Sequence, residues 1–179
     1  MIHLFLANGF EELEALTIVD VLRRAHLEVM TVSITANRHV IGAHGISVKS
    51  DMLFRKKNIR YSDMLIIPGG MVGVENLCAH DALQKKFEEQ YESKKPIAAI
   101  CAGPIFLSKC NVIRGRKITC YPGLESHITD AVLSRDLVVT DGNLVTGKGP
   151  GAALPFAFAL LKFFVSDEII DKVRIGMIL

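Results

Sequence analysis

The sequence predicts an α/β fold, a three-layer sandwich with a mostly parallel central sheet covered by helices on both faces. Two observations carry this. Short apolar runs suited to buried strands alternate with segments of helical spacing, and no Pro/Gly/Ser-rich linker or block of like charge divides the chain. A length of 179 residues, half of them hydrophobic, suits one domain over positions 1–179 and is long enough to bury a sizeable core.

Taken in order, residues 2–7 (Ile-His-Leu-Phe-Leu-Ala) read as a strand and 11–25 as an amphipathic helix. Residues 27–34 are rich in Val, Ile and Thr and read as a second strand. Residues 39–41 and 46–49, joined through Gly42-Ala43-His44-Gly45, form a small hairpin. Residues 63–67 are a buried strand closed by Pro68-Gly69-Gly70, followed by a helix over 81–93. Residues 97–100 are a strand, and a helix opens after Cys101 with Pro104 in its first turn, where a missing N–H costs nothing. Residues 117–120 read as a strand. Asp141-Gly142 is a hairpin turn between 137–140 and 143–146. An apolar helix over 151–164 and a short one over 167–173 complete the chain. Sites in such sheets form beyond the carboxyl ends of the strands, where three turns gather: Asn8-Gly9-Phe10, Pro68-Gly69-Gly70 and Cys101-Ala102-Gly103.

Composition excludes several classes. The net charge is +2, with basic residues scattered. The densest basic run, residues 55–60, lacks interleaved aromatics and reads as a solvated loop, so no nucleic-acid partner is expected. No apolar run approaches the roughly 20 residues of a membrane span, and the N-terminus lacks the basic region of a signal peptide. The four cysteines, Cys78, Cys101, Cys110 and Cys120, form no CxxC pair. They are expected to be reduced thiols of a cytoplasmic protein. No Cys/His spacing suggests a metal site, so no metal is expected.

Ala99-Ile100-Cys101-Ala102-Gly103 has the spacing of a nucleophile elbow. That strand-to-helix bend needs small residues two before and two after the reactive side chain. A thiol there faces unpaired N–H groups and the positive end of a helix dipole, which favours the thiolate. Its pKa is expected to fall from ~8.5 into the range of about 3.5–7.5. The alternative is a small buried hydrophobe, as most free cysteines are. Cys78 and Cys110 read as packing residues. Cys120, at a strand end, reads as structural with a lesser redox potential.

The first helix carries Glu11, Glu12 and Glu14. Glu12 lies with Arg23 on the polar side and reads as an acid complementing the dipole. Glu14 instead shares a stripe with Ile18, Val21 and Ala25, near Leu22. Burial there raises a carboxyl pKa, and a neutral acid can donate a hydrogen bond to a thiolate. The alternative is a partly exposed acid at a helix start. Backbone N–H groups at Gly69 or Gly70 suit an oxyanion hole together with Ala102 N–H. The same Pro68–Gly73 stretch also reads as a plain tight turn, and weakly as a phosphate loop, because it lacks Gly-Lys-Ser/Thr.

These residues resemble the ThiJ/PfpI superfamily, in the branch of the parkinsonism-associated protein deglycase and bacterial YajL. The likeness runs nearly end to end. It rests on Gly9-Phe10-Glu11-Glu12-Leu13-Glu14 with Val19-Asp20-Val21-Leu22-Arg23-Arg24-Ala25, and on Pro68-Gly69-Gly70 through Glu75-Asn76-Leu77. Ala98-Ala99-Ile100-Cys101-Ala102-Gly103-Pro104 and Gly149-Pro150-Gly151 complete it. The resemblance implies a flavodoxin-like sandwich and a homodimer, with Arg24 meeting the partner subunit. It makes Cys101 the oxidation-sensitive nucleophile, Glu14 the acid touching it, and Gly70 and Ala102 the backbone donors around it. Three departures stand out. Ala102 follows the cysteine where amidotransferase- and protease-like relatives have histidine. Tyr121 stands where some members of the branch carry histidine, and a tyrosine is a poor base near pH 7. His44 stands where relatives often have arginine, at the rim of the site, and reads as an exposed hairpin residue.

The function this implies is a cysteine-dependent enzyme needing no cofactor. Its substrates would be reactive α-oxoaldehydes such as methylglyoxal and glyoxal, or their early glycation adducts. The alternative is an oxidative-stress sensor or chaperone that works through oxidation of Cys101. A cysteine hydrolase or amidase of the same superfamily is a lesser alternative, since only Tyr121 or an unplaced histidine is on offer as its base.

Overall fold

The computed structural model describes residues 1–55, 59 and 61–179. Most of the basic run at 55–60, namely positions 56–58 and 60, lies outside the described residues. A seven-stranded sheet forms the middle layer. Its strands are β1 (Ile2–Leu6), β2 (Val29–Ser33), β5 (Met52–Leu53), β6 (Met64–Ile67), β7 (Ile97–Ile100), β10 (Val138–Asp141) and β11 (Leu144–Gly147). Their spatial order is β10-β11-β7-β6-β1-β2-β5. Every pairing is parallel except β10 with β11, which closes one edge as the expected hairpin through Asp141 and Gly142. The fold is thus the flavodoxin-like sandwich that the sequence predicted.

Alternation along the central strands explains why both faces must be covered. Leu4, Leu6, Ile66, Ala98 and Ile100 point to one side. There they meet Ile18 and Leu22 of α1 (Glu12–Arg24), Phe156 and Leu160 of α5 (Ala153–Leu161), and Ile170 of α6 (Asp167–Gly176). Phe5, Leu65, Ile67, Ile97 and Ala99 point to the other. They pack on Val74 of α2 (Met71–Cys78), Phe87 of α3 (Asp81–Glu92) and Phe106 of α4 (Gly103–Lys109). An aromatic chain links that second layer: the Phe87 ring lies 5.7 Å from Phe5 and 4.9 Å from Phe106.

Outside the main sheet, β3 (His39–Ile41) and β4 (Ser47–Lys49) form the expected hairpin, which folds over the start of α1. Several elements depart from the sequence reading. Helix α2 follows Gly70 directly, where a turn alone was expected. Gly70 takes a φ of +88° as its N-cap, and Gly73 lies inside it, so the glycines hide the helical pattern. Residues 117–120 give only β8 (Lys117–Ile118), which pairs with β9 (Val132–Leu133) rather than joining the main sheet. The apolar helix begins as a 3₁₀ turn over Pro150–Ala152 before α5. Among the described residues, no helix is long and apolar enough to cross a membrane.

Candidate active site

Strands β1, β6 and β7 run side by side and in the same direction, so their carboxyl ends bring together the three turns named above. Cys101 follows β7 with a φ of +64°, in the left-handed region that a side chain rarely occupies. Its backbone is held from both sides: Cys101 N–H donates to Gly147 O at 2.9 Å, and Cys101 O accepts Tyr121 N–H at 3.0 Å. The small neighbours are a packing requirement, because a Cβ on Gly103 would stand 3.2 Å from Ala99 Cβ and 2.9 Å from Ile67 O. The result is a tight bend between β7 and α4.

Glu14, on the first turns of α1, is fully buried beside this thiol. Its Oε2 accepts the Gly69 N–H at 2.7 Å. Oε1 is buried with no other hydrogen-bond partner among the described residues, and the Cys101 thiol lies within hydrogen-bonding reach of this carboxyl. Gly69 must be glycine for the two groups to meet. A Cβ there would fall 2.4 Å from Glu14 Oε2 and 2.9 Å from Cys101 Sγ. Because its N–H is taken by Glu14, Gly69 is not a donor to a reacting oxygen, contrary to expectation. The backbone N–H groups of Ala102 and Gly70 are the ones directed at the Cys101 sulfur.

Burial pushes the Glu14 carboxyl up to about 7, against the hydrogen bonds from Cys101 and Gly69. This is the direction read from its apolar stripe. Cys101 departs from expectation. Burial, then the charge and hydrogen bond of Glu14, push its thiol up to about 12, outweighing the Ala102 and Gly70 N–H groups. Helix α4 begins only at Gly103 and is seven residues long, so its dipole acts on a thiol that is already desolvated. The first proton therefore leaves the pair near neutrality, and in the singly charged pair it is chiefly the carboxyl that is ionised.

Above the thiol lies a pocket of about 360 Å³, lined by Glu11, His44, Gly70, Cys101, Tyr121 and Pro150, among others. Tyr121 and His44 both line this pocket. His44 is exposed, yet it is not a bystander. Its ring Nδ1–H donates to Glu12 Oε2 at 2.8 Å and lies 3.7 Å from Glu11 Oε1. The Glu12 side chain, expected on the polar face with Arg23, is instead 4% exposed under the β3–β4 hairpin. Burial opposes its charge, but hydrogen bonds from the His44 side chain and from backbone N–H groups win and lower its pKa. No local pattern marks this, because the covering hairpin lies some 30 residues away in sequence. Among the described residues, Glu11, Glu12 and His44 are grouped closely enough to hold a metal ion, but the Glu12 oxygens already serve the hairpin.

The other expected participants lie elsewhere. Arg24 pairs with Asp20 at 2.7 Å and lines a separate cleft of about 580 Å³ with His26 and Lys172. That cleft is larger than the Cys101 pocket, but neither Cys101 nor Glu14 lines it. Cys110 is buried and its thiol is pushed upward by burial, in keeping with a packing role. Cys120 is buried beside a different cleft, lined also by Arg135 and Lys148, and burial pushes its thiol up to about 11.

Comparisons with known proteins agree with this architecture. Over 164 residues the chain is 34% identical to protein DJ-1 homolog B of Arabidopsis thaliana, covering 91% of this chain and 37% of that one. This chain thus spans well under half the length of that relative. It is 35% identical over 146 residues to deglycase PH1704 of Pyrococcus horikoshii, covering 80% and 87% of the two chains. The solved structure of oxidized DJ-1 of Toxoplasma gondii superimposes with a TM-score of 0.92 at 30% identity, over 99% and 97% of the chains. Residues 1–163 match the family model described as the DJ-1/PfpI family, and the chain belongs to that family.

Proposed function

We propose that the protein is a cysteine-dependent, cofactor-independent enzyme of the glyoxalase and deglycase type. Its substrates are reactive α-oxoaldehydes such as methylglyoxal and glyoxal, or their early glycation adducts. The observation that carries this reading is the contact of the Cys101 thiol with the buried Glu14 carboxyl under an open pocket. A thiol whose adjacent acid–base group is a carboxyl suits addition to an aldehyde followed by proton transfer between carbons. The deglycase name of the Pyrococcus relative is in keeping with it.

The steps follow from the two groups. Cys101 sulfur bonds to the aldehyde carbon while its proton passes to ionised Glu14. The new oxyanion is stabilised by the N–H groups of Gly70 and Ala102 and takes the thiol proton back from Glu14, giving a hemithioacetal and leaving Glu14 ionised. Ionised Glu14 then takes the proton from the former aldehyde carbon and delivers it to the neighbouring carbonyl carbon, while the hemithioacetal hydroxyl proton moves to that carbonyl's oxygen, leaving a thioester of the 2-hydroxy acid. Water cleaves the thioester, releasing the acid and restoring the thiol. Methylglyoxal plus one water gives lactate, with no net oxidation. In the assay, purified protein forms lactate from methylglyoxal without glutathione, and Cys101→Ala abolishes it. Undiminished lactate formation by Cys101→Ala would refute the reading.

A second reading is favoured by the same thiol and by the oxidized state named for the Toxoplasma structure. Peroxide would convert Cys101 to a sulfenate, with release of water, and a second peroxide to a sulfinate, as a redox sensor or chaperone switch. Protein that makes no lactate but gains oxygens selectively at Cys101 under mild peroxide would establish it. We further propose that the protein acts as a homodimer through the outer face of α1, where Leu13 and Leu16 are exposed, as are Ile41 and Ile46 of the hairpin region that folds over the start of that helix. Sedimentation at a monomer mass would contradict this.

A further inference from the structure

We infer that Glu12 is a positioning residue for the Cys101 pocket: its carboxylate holds the 42–46 turn in place, so that Ala43 and His44 form one wall of the site. The inference rests on the proposed reading of that pocket as the place where substrate binds.

The carboxylate is buried, and its hydrogen bonds go to the turn. Glu12 Oε1 accepts the backbone N–H of His44 at 2.8 Å and of Ile46 at 3.3 Å, while Oε2 accepts the His44 ring N–H at 2.8 Å. The fit is tight: a Cβ on Gly42 would lie 2.1 Å from Glu12 Oε1 and 2.2 Å from its carboxyl carbon. The turn is sewn to the neighbouring site loop as well. Ala43 N–H donates to Phe10 O at 2.8 Å, Gly9 N–H to Ile41 O at 2.7 Å, and Ile41 N–H to Asn8 Oδ1 at 3.0 Å. Ala43 and His44 line the pocket together with Cys101, Gly70 and Tyr121. Glu14 lies two positions further along α1 and is anchored separately, by Gly69 N–H. One helix start thus supports the site twice: Glu14 at the sulfur, and Glu12 at the wall facing it.

This separation predicts which kinetic quantity changes. Removing Glu12 leaves two N–H groups and the His44 ring without their acceptor, so the wall shifts, while the Cys101–Glu14 pair keeps its own support. Glu12→Ala is expected to raise KM for methylglyoxal about tenfold, with kcat changed by less than about threefold, the pattern of lost uniform binding. Amide exchange at His44 and Ile46 should accelerate in the same variant. Glu12→Gln retains an oxygen for both backbone donors and should restore amide protection and bring KM to within about threefold of the wild type. Gly42→Ala, which drives a methyl group into the Glu12 carboxyl, should reproduce the Glu12→Ala pattern and decides the matter if Glu12→Ala does not fold.

The inference is overturned if Glu12→Ala or Gly42→Ala leaves KM and both amides unchanged, or if the loss falls on kcat with KM intact. Should wild-type protein turn over no α-oxoaldehyde, the enzymatic reading fails by itself. Amide exchange, and saturation of Cys101 labelling by a reversible aldehyde ligand in place of KM, then score the role of Glu12 separately.

Discussion

Cys101 and Glu14 act as one titrating unit, and the chemistry depends on which of them holds the proton. Each is buried, which disfavours its charge, and each faces backbone N–H groups that favour it: Gly69 for the carboxyl, Gly70 and Ala102 for the sulfur. The carboxyl at about 7 gives up its proton first. In the proposed reaction it is then the base that receives the thiol proton as sulfur attacks. Glu14→Gln keeps an acceptor for Gly69 N–H but removes this base. Turnover should fall by about 10²–10⁴-fold, the usual worth of a general acid–base group, with the circular dichroism spectrum unchanged. Near-normal turnover in that variant would remove Glu14 from the reaction. Both residues were legible in the sequence, Cys101 from the small residues two positions away and Glu14 from its place on an apolar stripe. The sign of the thiol shift was not, because sequence shows the helix end but not the desolvation that outweighs it. Glu12 was misread for a related reason: what buries it is a hairpin distant in sequence.

At the level of elements, the site depends on how closely the turn after β6 approaches the bend after β7. The decisive position is Gly69, where a methyl group would overlap both Glu14 Oε2 and the Cys101 side chain. Gly69→Ala should therefore slow Cys101 alkylation and turnover together by at least about tenfold, while thermal unfolding stays cooperative. Unchanged alkylation in this variant would show that the approach is not needed. The second helical layer makes a contrasting prediction. Phe87→Ala empties a fully buried site between Phe5 and Phe106, and should cost about 3–5 kcal/mol in chemical denaturation without altering the pH dependence of Cys101. The strands and long helices of both layers were legible, since apolar runs and helical stripes are local signals. Helix α2 was not, because Gly70 and Gly73 break the pattern that identifies a helix. The two-residue strands β5 and β9 are defined by their partners, not by their own residues.

For the molecule as a whole, two buried groups give the stability opposite responses to pH. Glu14 is raised from 4.5 to about 7, so the folded state binds the extra proton between those values, and this group makes stability fall as pH rises through them. His3 is fully buried. Its Nδ1–H donates to Ser62 Oγ at 2.9 Å, and its Nε2 has no partner among the described residues. Burial, followed by the positive N-terminus and Lys86, lowers its pKa from 6.5 to about 4, so it makes stability rise with pH over that window. The two slopes largely cancel between pH 4.5 and 6.5 in the native chain. Glu14→Gln should expose the rising slope of His3, and His3→Gln the falling slope of Glu14, each amounting to a few kcal/mol by urea titration. Identical profiles in both variants and the wild type would contradict this. The most direct test of the central claim reads all four thiols in one experiment: iodoacetamide labelling against pH, with the modified cysteine assigned by mass spectrometry. The account predicts that ionised Glu14, as the base that takes the thiol proton, gives Cys101 labelling in the native protein a step with a midpoint near pH 7, well below the thiol's own titration, and that Glu14→Gln abolishes this step. A midpoint near that of an ordinary thiol, about 8.5, in both proteins would show that Cys101 and Glu14 do not share a proton.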